Sequence, residues 1–241
     1  MKLSIIIPAL NEEGGIGAVI DQIPLQKFAS MNIETEVLVV DNASIDRTSE
    51  IARAHGARVV YQPLRGYGNA YKAGFLAATG DIIATGDADM TYPFDALPKI
   101  IADMIKHGDD FINTDRLSKL DPKAMLLSHV FGNWVLSTIT RVLFGWPFKD
   151  SQSGMWIFKR SILERMDVRS NGMPFSQELK IEAYLKGFKC VEVPIEYRMR
   201  VGEVKLNPIG DGIANITHLF RKRFTYWKRS TPAMPVRSMQ S

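Results

Sequence analysis

The sequence predicts an α/β protein with a doubly wound, mostly parallel sheet, and two observations carry this prediction. Apolar runs of strand length alternate with segments of helical length, and the strands fall at residues 5–7, 37–40, 58–61 and 81–85. The length of 241 residues fits one large domain with a sizeable core. Strands that alternate with helices pair in parallel through right-handed crossovers. We predict this domain at residues 1–212, followed by a basic amphipathic tail at residues 213–241.

The elements follow in order from these runs. The first strand leads to Asn11, which we expect to cap a helix that ends near Pro24. After the second strand, Asp46 or Thr48 is expected to cap the next helix. The third strand leads through a glycine-rich turn at residues 64–69 into a helix, and the fourth strand comes after that helix.

Polar residues follow three of the predicted strands at the point where each strand ends. Residues 8–12 follow the first strand, Asp41 ends the second, and Asp87 and Asp89 follow the fourth. The carboxyl ends of such strands meet at one edge of the sheet, where ligands bind. Residues two apart in an extended segment project to the same side, so Asp87 and Asp89 form a carboxylate pair suited to Mg²⁺ or Mn²⁺. The alternative is a pair of solvated loop residues.

Composition and missing motifs exclude several classes of protein. A dinucleotide fingerprint would follow the first strand, where this chain lacks it, and no P-loop motif occurs. The single cysteine, Cys190, rules out an internal disulfide and a cysteine-rich metal site. The nine basic and two acidic residues from Arg198 onward give +7, against a net charge of +4 for the chain. Because no nucleic-acid-binding motif accompanies this charge, we expect no nucleic-acid partner.

Six blocks of sequence share their order and spacing with one known family. They are Ser4-Ile5-Ile6-Ile7-Pro8 with Asn11-Glu12, Val39-Val40-Asp41-Asn42-Ala43-Ser44, Gly66-Tyr67-Gly68-Asn69-Ala70, Gly86-Asp87-Ala88-Asp89, Asp150-Ser151-Gln152-Ser153-Gly154 and residues 200–206. The chain thereby resembles the family 2 glycosyltransferases of the GT-A fold. The last two blocks resemble the polyprenyl-phosphate branch, which contains dolichol-phosphate mannosyl- and glucosyltransferases. The resemblance covers residues 2–212.

The resemblance implies a nucleotide-sugar site at the ends of the strands. Its matching positions are Pro8, Asn11, Glu12, Asp41, Asn42, Gly66, Gly68, Asp87, Ala88 and Asp89. It also implies that Asp87 and Asp89 hold Mg²⁺ or Mn²⁺ on the donor diphosphate. In the mannosyl branch a glutamine two residues after this motif helps to bind the metal, whereas this chain has Thr91. Gly66 and Gly68 are equally explained as turn glycines with positive φ.

The acceptor side of the resemblance implies a set of phosphate-binding positions, which are Arg116, Asn133, Ser137, Arg200 and Lys205. Asn133 stands where the family has an arginine. Arg200 and Lys205, together with the metal on Asp89, would stabilise the negative charge that develops on the departing nucleotide.

A catalytic base is needed only for some acceptors. A sugar hydroxyl requires one, whereas a lipid monophosphate, with a second pKa of roughly 6, is already anionic near neutral pH. Asp150 and Glu178 are the candidate bases, and their alternatives are a turn residue and a charge in the first turn of a helix. We predict direct displacement with inversion at the anomeric carbon.

Two stretches indicate a membrane surface as partner. Residues 124–140 carry no formal charge but are interrupted by polar side chains, so they favour an amphipathic helix, or one packed on the sheet, over a spanning segment. The tail places five apolar residues at helical spacing beside a cationic cluster, and these are Ile213, Ile216, Phe220, Phe224 and Trp227. Anionic lipid attracts basic amphipathic helices of this kind. With no signal peptide or transmembrane segment expected, we predict a peripheral protein on the cytoplasmic face of a membrane.

The sequence thus predicts a metal-dependent, inverting enzyme that moves a hexose from UDP-glucose, UDP-N-acetylglucosamine or GDP-mannose to a polyprenyl (dolichyl) phosphate. One alternative is the same fold acting on a saccharide or small-molecule hydroxyl. A second is a sugar-nucleotide-binding module without turnover, and nucleotidyl transfer is a weaker third.

Overall fold

The structure is a computed structural model that describes residues 1–121, 123–202 and 208–230, with side chains described except at 208–209 and 226–230. This part of the chain forms seven strands: β1 (Lys2–Ala9), β2 (Glu34–Asp41), β3 (Arg58–Tyr61), β4 (Ile82–Thr85), β5 (Phe111–Asp115), β6 (Trp156–Lys159) and β7 (Cys190–Pro194). Its α-helices are α1 (Ile16–Asp21), α2 (Leu25–Ser30), α3 (Thr48–Ala54), α4 (Tyr67–Ala77), α5 (Leu97–His107), α6 (Leu127–Phe144), α7 (Pro174–Leu185) and α8 (Pro208–Ser230). Short 3₁₀ helices cover Phe94–Ala96 and Arg160–Arg165.

The strands form one sheet in the order β3-β2-β1-β4-β6-β5-β7. All pairings are parallel except those of β6, which runs antiparallel to both β4 and β5. Ala9 lies opposite Asp41, and Ile6 lies opposite Thr85, so β1, β2 and β4 end at the same edge. The predicted α/β class with a mostly parallel sheet is confirmed. The sequence pattern did not indicate the antiparallel direction of β6.

Strand β1 is buried on both faces of the sheet. Ile5 and Ile7 join the core under α1, α2, α3 and α5, whereas Ile6 joins the core under α4 and α7. This division follows from the two-residue period of a strand. A third cluster, built around Leu136 and Leu219, attaches α6 and α8 to α7.

The first predicted helix is wrong in its start and in its cap. Asn11 has a positive φ of 51° and its side-chain oxygen accepts a hydrogen bond from the Ile45 N–H, so it joins two loops and does not cap a helix. The helix begins at Ile16 and stops at Asp21, and α2 begins after Pro24. Helix α3 begins at Thr48, but Arg47 occupies its N-cap position without a side-chain cap, so neither Asp46 nor Thr48 is the cap that the sequence predicts. The Asp46 carboxylate instead accepts a hydrogen bond from the Thr48 N–H at 3.0 Å.

The helices α6 and α8 each bury one side and expose the other. On α6, Leu136 and Phe144 are buried, whereas Leu127, Phe131, Trp134 and Val142 are exposed. On α8, Leu219 is buried and the apolar residues Ile213, Phe220 and Phe224 are exposed. Within the described residues, no helix combines the length and the apolar character that a membrane span requires.

Candidate active site

A cleft of about 300 Å³ opens at the edge where β1, β2 and β4 end. The sequence-predicted residues that line it are Pro8, Glu12, Asn42, Gly66, Asp87, Ala88, Asp89, Arg116 and Arg200. Further lining comes from residues that the sequence reasoning did not assign to the site, among them Tyr67, Tyr92, Gln152, Gly154, Ser176 and Tyr197. A larger apolar groove of about 1000 Å³ lies at the opposite edge, beside Met1 and Ile82, and holds no carboxylate pair of this kind.

Asp87 and Asp89 differ in how the protein holds them. Asp89 is buried, and its Oδ1 accepts hydrogen bonds from the N–H and the hydroxyl of Thr91 at 3.1 and 2.5 Å. Asp87 is half-buried and has no hydrogen-bond partner among the described residues. Burial and the nearby Asp89 raise the pKa of Asp87 to about 7, although Arg200 and Arg116 act in the opposite direction. The pair therefore concentrates negative charge that a cation would stabilise.

Arg200 reaches the carboxylate pair because its backbone segment is tied to the motif. The N–H groups of Arg198 and Val201 donate to the carbonyls of Thr91 and Asp89, each at 2.9 Å. The Arg200 Nη2 lies 2.7 Å from the Asp89 Oδ2. Lys205, the other predicted cation of this segment, lies outside the described residues.

The donor set fits a divalent metal ion on a diphosphate. The described residues contain no cluster of three or more His, Cys, Asp or Glu side chains that could hold a metal by themselves. Mg²⁺ commonly binds one or two carboxylates together with substrate phosphates and water, and Asp87 with Asp89 supply that number. Thr91 occupies the sequence position where the mannosyl branch has a glutamine. In this chain Thr91 orients the Asp89 carboxylate through its two hydrogen bonds.

Asn42 organises the glycine-rich turn that borders the cleft. Its Nδ2 donates to the carbonyls of Gln62 and Leu64 at 3.1 and 2.8 Å, and its Oδ1 accepts from the Gly66 N–H at 2.7 Å. Gly66 has a φ of 141°, which side chains rarely adopt. A Cβ at Gly68 would lie 2.4 Å from the Ser170 carbonyl oxygen, so this glycine serves close packing of two backbones.

Asp41 and Asn11 hold the neighbouring loop in place. The Asp41 carboxylate accepts hydrogen bonds from the Ser44 N–H and the Ser49 hydroxyl. The Asn11 N–H donates to the Ser44 hydroxyl at 3.0 Å. Neither Asp41, Asn11 nor Gly68 lies on the cleft surface that Asp87 shares, so the structure gives these three residues loop contacts beside the cleft.

Arg116 and Asp150 form a buried ion pair at the side of the cleft. Arg116 donates from Nε and Nη2 to the two Asp150 carboxylate oxygens, at 2.7 and 3.0 Å. Burial alone would raise the pKa of Asp150, but the Arg116 charge and its hydrogen bonds hold that pKa below its usual value. The Arg116 guanidinium also lies 5.3 Å from the Tyr197 ring centroid. Asp150 is therefore an ionised partner of Arg116 and has no free oxygen facing a substrate hydroxyl.

The remaining candidates lie at different distances from this site. Ser137 is buried on α6 and accepts a hydrogen bond from the Ser151 N–H at 3.0 Å, which links α6 to the segment after Asp150. Asn133 contacts the Met125 sulfur at 3.3 Å. Glu178 lies outside the cleft, where it pairs with Lys222 of α8 at 3.0 Å. The structure thus links Ser137 to the segment that carries Asp150, whereas Glu178 contacts α8 and does not line the cleft.

Two further tyrosines line the cleft beside Tyr67, and only one of these two had a signal in the sequence. Tyr92 directly follows the acidic motif, is buried, and its hydroxyl accepts a hydrogen bond from the Gly154 N–H at 2.6 Å. Tyr197 lies in the segment just after β7 and packs edge-on against Tyr92, with ring centroids 5.5 Å apart. No sequence motif marks Tyr197, because only the tertiary fold brings it to the cleft.

Comparison with known proteins assigns this architecture to a family. The sequence pattern of glycosyl transferase family 2 matches residues 4–167. The chain is 42% identical over 214 residues to the low-salt glycan biosynthesis hexosyltransferase Agl6 of Haloferax volcanii, matching 87% of this chain but 51% of that protein, so it spans about half of Agl6. It is 36% identical over 212 residues to a dolichyl-phosphate hexose transferase of the same organism, with 88% and 90% of the two chains covered.

A solved structure supports the fold. Glucosyl-3-phosphoglycerate synthase from Mycobacterium tuberculosis, crystallised with Mn²⁺, UDP and glucosyl-3-phosphoglycerate, superimposes with a TM-score of 0.72 at 23% identity. The match covers 92% of this chain and 79% of that one. Since the family pattern covers most of the chain and the sheet has the GT-A architecture, the protein belongs to glycosyl transferase family 2 and is a glycosyltransferase.

Proposed function

We propose that this enzyme transfers a hexose from a nucleotide sugar to a polyprenyl phosphate such as dolichyl phosphate, with a divalent metal and with inversion at the anomeric carbon. The observation that carries the proposal is the meeting of a carboxylate pair, Asp87 and Asp89, with two arginines, Arg116 and Arg200, in one cleft. Such a cleft suits two phosphate-bearing substrates. The Haloferax volcanii relatives, a hexosyltransferase and a dolichyl-phosphate hexose transferase, support the same choice.

The donor side is built from the motif after β4. Asp87 and Asp89 would hold Mg²⁺ or Mn²⁺, which supplies positive charge to the diphosphate as the sugar leaves. Arg200 already faces Asp89 and is available to the same oxygens. Pro8, Glu12 and the Gly66 turn border the space that remains for the nucleotide.

The acceptor side supports a phosphate more than a hydroxyl. Arg116 uses Nε and Nη2 on Asp150, which leaves Nη1 for an anion in the cleft. Asp150 is held as an ion-pair partner and Glu178 lies outside the cleft, so neither candidate base is placed to activate a sugar hydroxyl. An acceptor that is already anionic requires no base, which favours the polyprenyl-phosphate reaction.

The outer sides of α6 and α8 support a membrane-bound acceptor. Leu127, Phe131, Trp134 and Val142 recur at helical spacing along the outer side of α6, and Phe131 stacks on Trp134 with ring centroids 6.0 Å apart. The exposed Phe220 and Phe224 of α8 lie next to its cationic residues. An apolar stripe bordered by cations is the pattern of a helix that lies in the surface of a bilayer. The cytoplasmic face stays a prediction.

The deciding experiment incubates wild type, D89N and D103N with dolichyl phosphate and a panel of labelled nucleotide sugars, with and without Mg²⁺, followed by mass spectrometry of extracted lipid. Asp103 is the matched control because it is a half-exposed aspartate on α5 that pairs with Lys99 of the same helix. We expect one donor to give glycosylated lipid, and D89N to lower the rate at least about 100-fold while D103N does not. Full activity of D89N, or of wild type in EDTA, would contradict the metal-dependent reaction.

The hydroxyl-acceptor alternative predicts a different result for Glu178. E178Q should keep most of the transfer activity if the acceptor is a phosphate, and should lose it if Glu178 is an essential base. Binding of a nucleotide sugar without product from any acceptor would instead favour the non-catalytic module.

A further inference from the structure

A fully buried lysine lies behind the cleft. Lys180 of α7 is 1% exposed, and its Nζ donates to the backbone carbonyls of Ser151 at 2.6 Å and Ser153 at 2.7 Å. The same Nζ is 5.7 Å from the centroid of the Trp156 ring, within the range of a cation–π contact. Because lysine is rarely buried completely without partners, this arrangement fixes the segment that carries the two carbonyls.

The segment held by Lys180 forms one wall of the cleft. It begins with Asp150, which binds Arg116 through both carboxylate oxygens. Gln152 and Gly154 of the same segment line the cleft directly. The two carbonyls that Lys180 binds lie at alternate positions of this short segment, so the lysine restrains its backbone at two points.

We propose that Lys180 is a positioning residue for the acceptor: it fixes residues 151–153 and thereby holds the Asp150–Arg116 pair in the orientation that receives the acceptor phosphate. The inference rests on the proposed function. If the segment shifts, the Asp150 carboxylate shifts with it, and the Arg116 guanidinium loses its bidentate support. The donor side depends on Asp87, Asp89 and Arg200, which have no contact with Lys180, so the effect falls on the acceptor.

The charge state of Lys180 is compatible with this role. Burial lowers the pKa of Lys180 to about 7, and Arg116 acts in the same direction, whereas Asp150 and Glu192 raise it. Both the ammonium and the neutral amine can donate two hydrogen bonds. The positioning role therefore stands on the two carbonyl contacts at either protonation state.

The test compares wild type, K180M, K180Q and the control K189M. Methionine approximates the volume of lysine without its donors, and glutamine keeps N–H donors with less reach. Lys189 also donates to a backbone carbonyl, that of His107 at 2.6 Å, but at the far end of the molecule. We expect K180M to raise the KM for dolichyl phosphate about tenfold over wild type, while the KM for the donor stays within twofold of wild type. The KM of K180Q for dolichyl phosphate should lie between those of wild type and K180M. K189M also removes an ion pair with the buried Asp109, at 3.0 Å, so it should lower stability while both KM values stay within twofold of wild type.

A second readout is independent of the acceptor. In ¹⁵N spectra, the Arg116 Nε–H signal, assigned by its loss in R116K, should exchange with water at least tenfold faster in K180M and not in K189M. Faster exchange without any activity on polyprenyl phosphate would keep the positioning role and reject the proposed function. Unchanged exchange with an unchanged acceptor KM would overturn the inference. So would equal effects on both substrates, or a failure of both Lys180 variants to fold, because either result assigns Lys180 to general stability.

Discussion

Glycines at the cleft show how single residues decide backbone contacts. The segments around Gly66 and Gly68 pack against residues 170–171 with no room for a side chain, and the Asn69 N–H donates to the Asn171 carbonyl at 3.1 Å. These contacts join the start of α4 to the segment before α7. The glycine motif therefore has a packing role in addition to any contact with a donor.

At Gly68 we predict that alanine destabilises the protein by about 1–3 kcal/mol, because a Cβ would meet the Ser170 carbonyl at 2.4 Å and backbone cannot move aside cheaply. The matched control is G132A in α6, where a Cβ meets nothing within 4 Å. That substitution should stabilise by up to about 1 kcal/mol through helix propensity. Urea denaturation measures both values, and a G68A protein as stable as G132A would contradict the close packing seen here.

Helix α8 is attached to the domain by a small set of buried charges. Lys222 pairs with Glu178 at 3.0 Å and with Glu182 at 2.6 Å, and all three side chains are largely buried. Gln177 of α7 adds a hydrogen bond to the Asn215 carbonyl at 2.8 Å. The helix is thus part of the folded domain, although its outer side faces away from it.

Removal of the Lys222 charge should loosen α8. K222M leaves Glu178 and Glu182 buried without their cation, which costs on the order of 3 kcal/mol. We expect faster amide hydrogen exchange across residues 213–225, with little change in β1 or α5. The exposed Arg223 of the same helix provides the control, since R223M removes an equal charge. Equal exchange in the two variants would show that the ion pairs do not hold α8.

Acid should loosen the same attachment. Burial by itself would raise the pKa of Glu178, but His218, Lys222 and the Ser170 N–H hold it well below its usual value. A carboxyl whose pKa is lowered by folding stabilises the native state above its unfolded pKa of about 4.3, and this stabilisation is lost as pH falls below that value. Exchange across α8 should therefore be constant from pH 6 to 8, after correction for intrinsic rates, and should rise below about pH 4. If the corrected amide exchange across α8 stayed constant down to pH 3, the ionised Glu178 would not hold this helix.

For the whole molecule, the proposed function predicts that the outer sides of α6 and α8 bind a membrane surface that contains the acceptor. Deletion of α8 is a poor test, because Leu219 is fully buried and its loss would expose the core. Substitutions on the exposed stripes leave the core intact.

In flotation with vesicles that contain anionic lipid, we expect F131S/W134S and F220S/F224S to reduce the bound fraction severalfold. Replacement of Arg221 and Arg223 by glutamine should weaken binding by about 1 kcal/mol per charge and only with anionic lipid. The control L76S/Y61S removes exposed apolar residues elsewhere on the surface. If all these variants float like wild type, neither helix forms the membrane surface.

The sequence predicted those features that depend on local pattern. Apolar runs in alternation with helical segments predicted the parallel strands, and the position of Asp87 and Asp89 after the fourth strand predicted their place at the sheet edge. Helix starts were less predictable, because the Asn11 loop is held by Ile45 and Ser44, more than thirty positions away. The reversed direction of β6 likewise depends on pairing with strands distant in the chain.

By itself, then, the sequence determined the fold class, the acidic motif and the family, since these follow from periodicity and from short ordered blocks. Only the tertiary structure decided that Asp150 is the ion-pair partner of Arg116 and that Glu178 lies outside the cleft. It also decided that Tyr197 lines the cleft and that Lys180 lies behind its wall. The physical reason is that each of these roles is set by a partner brought near by folding, such as the 34 positions that separate Arg116 from Asp150. A side chain's type limits its chemistry, and its neighbours in space select which part of that chemistry the protein uses.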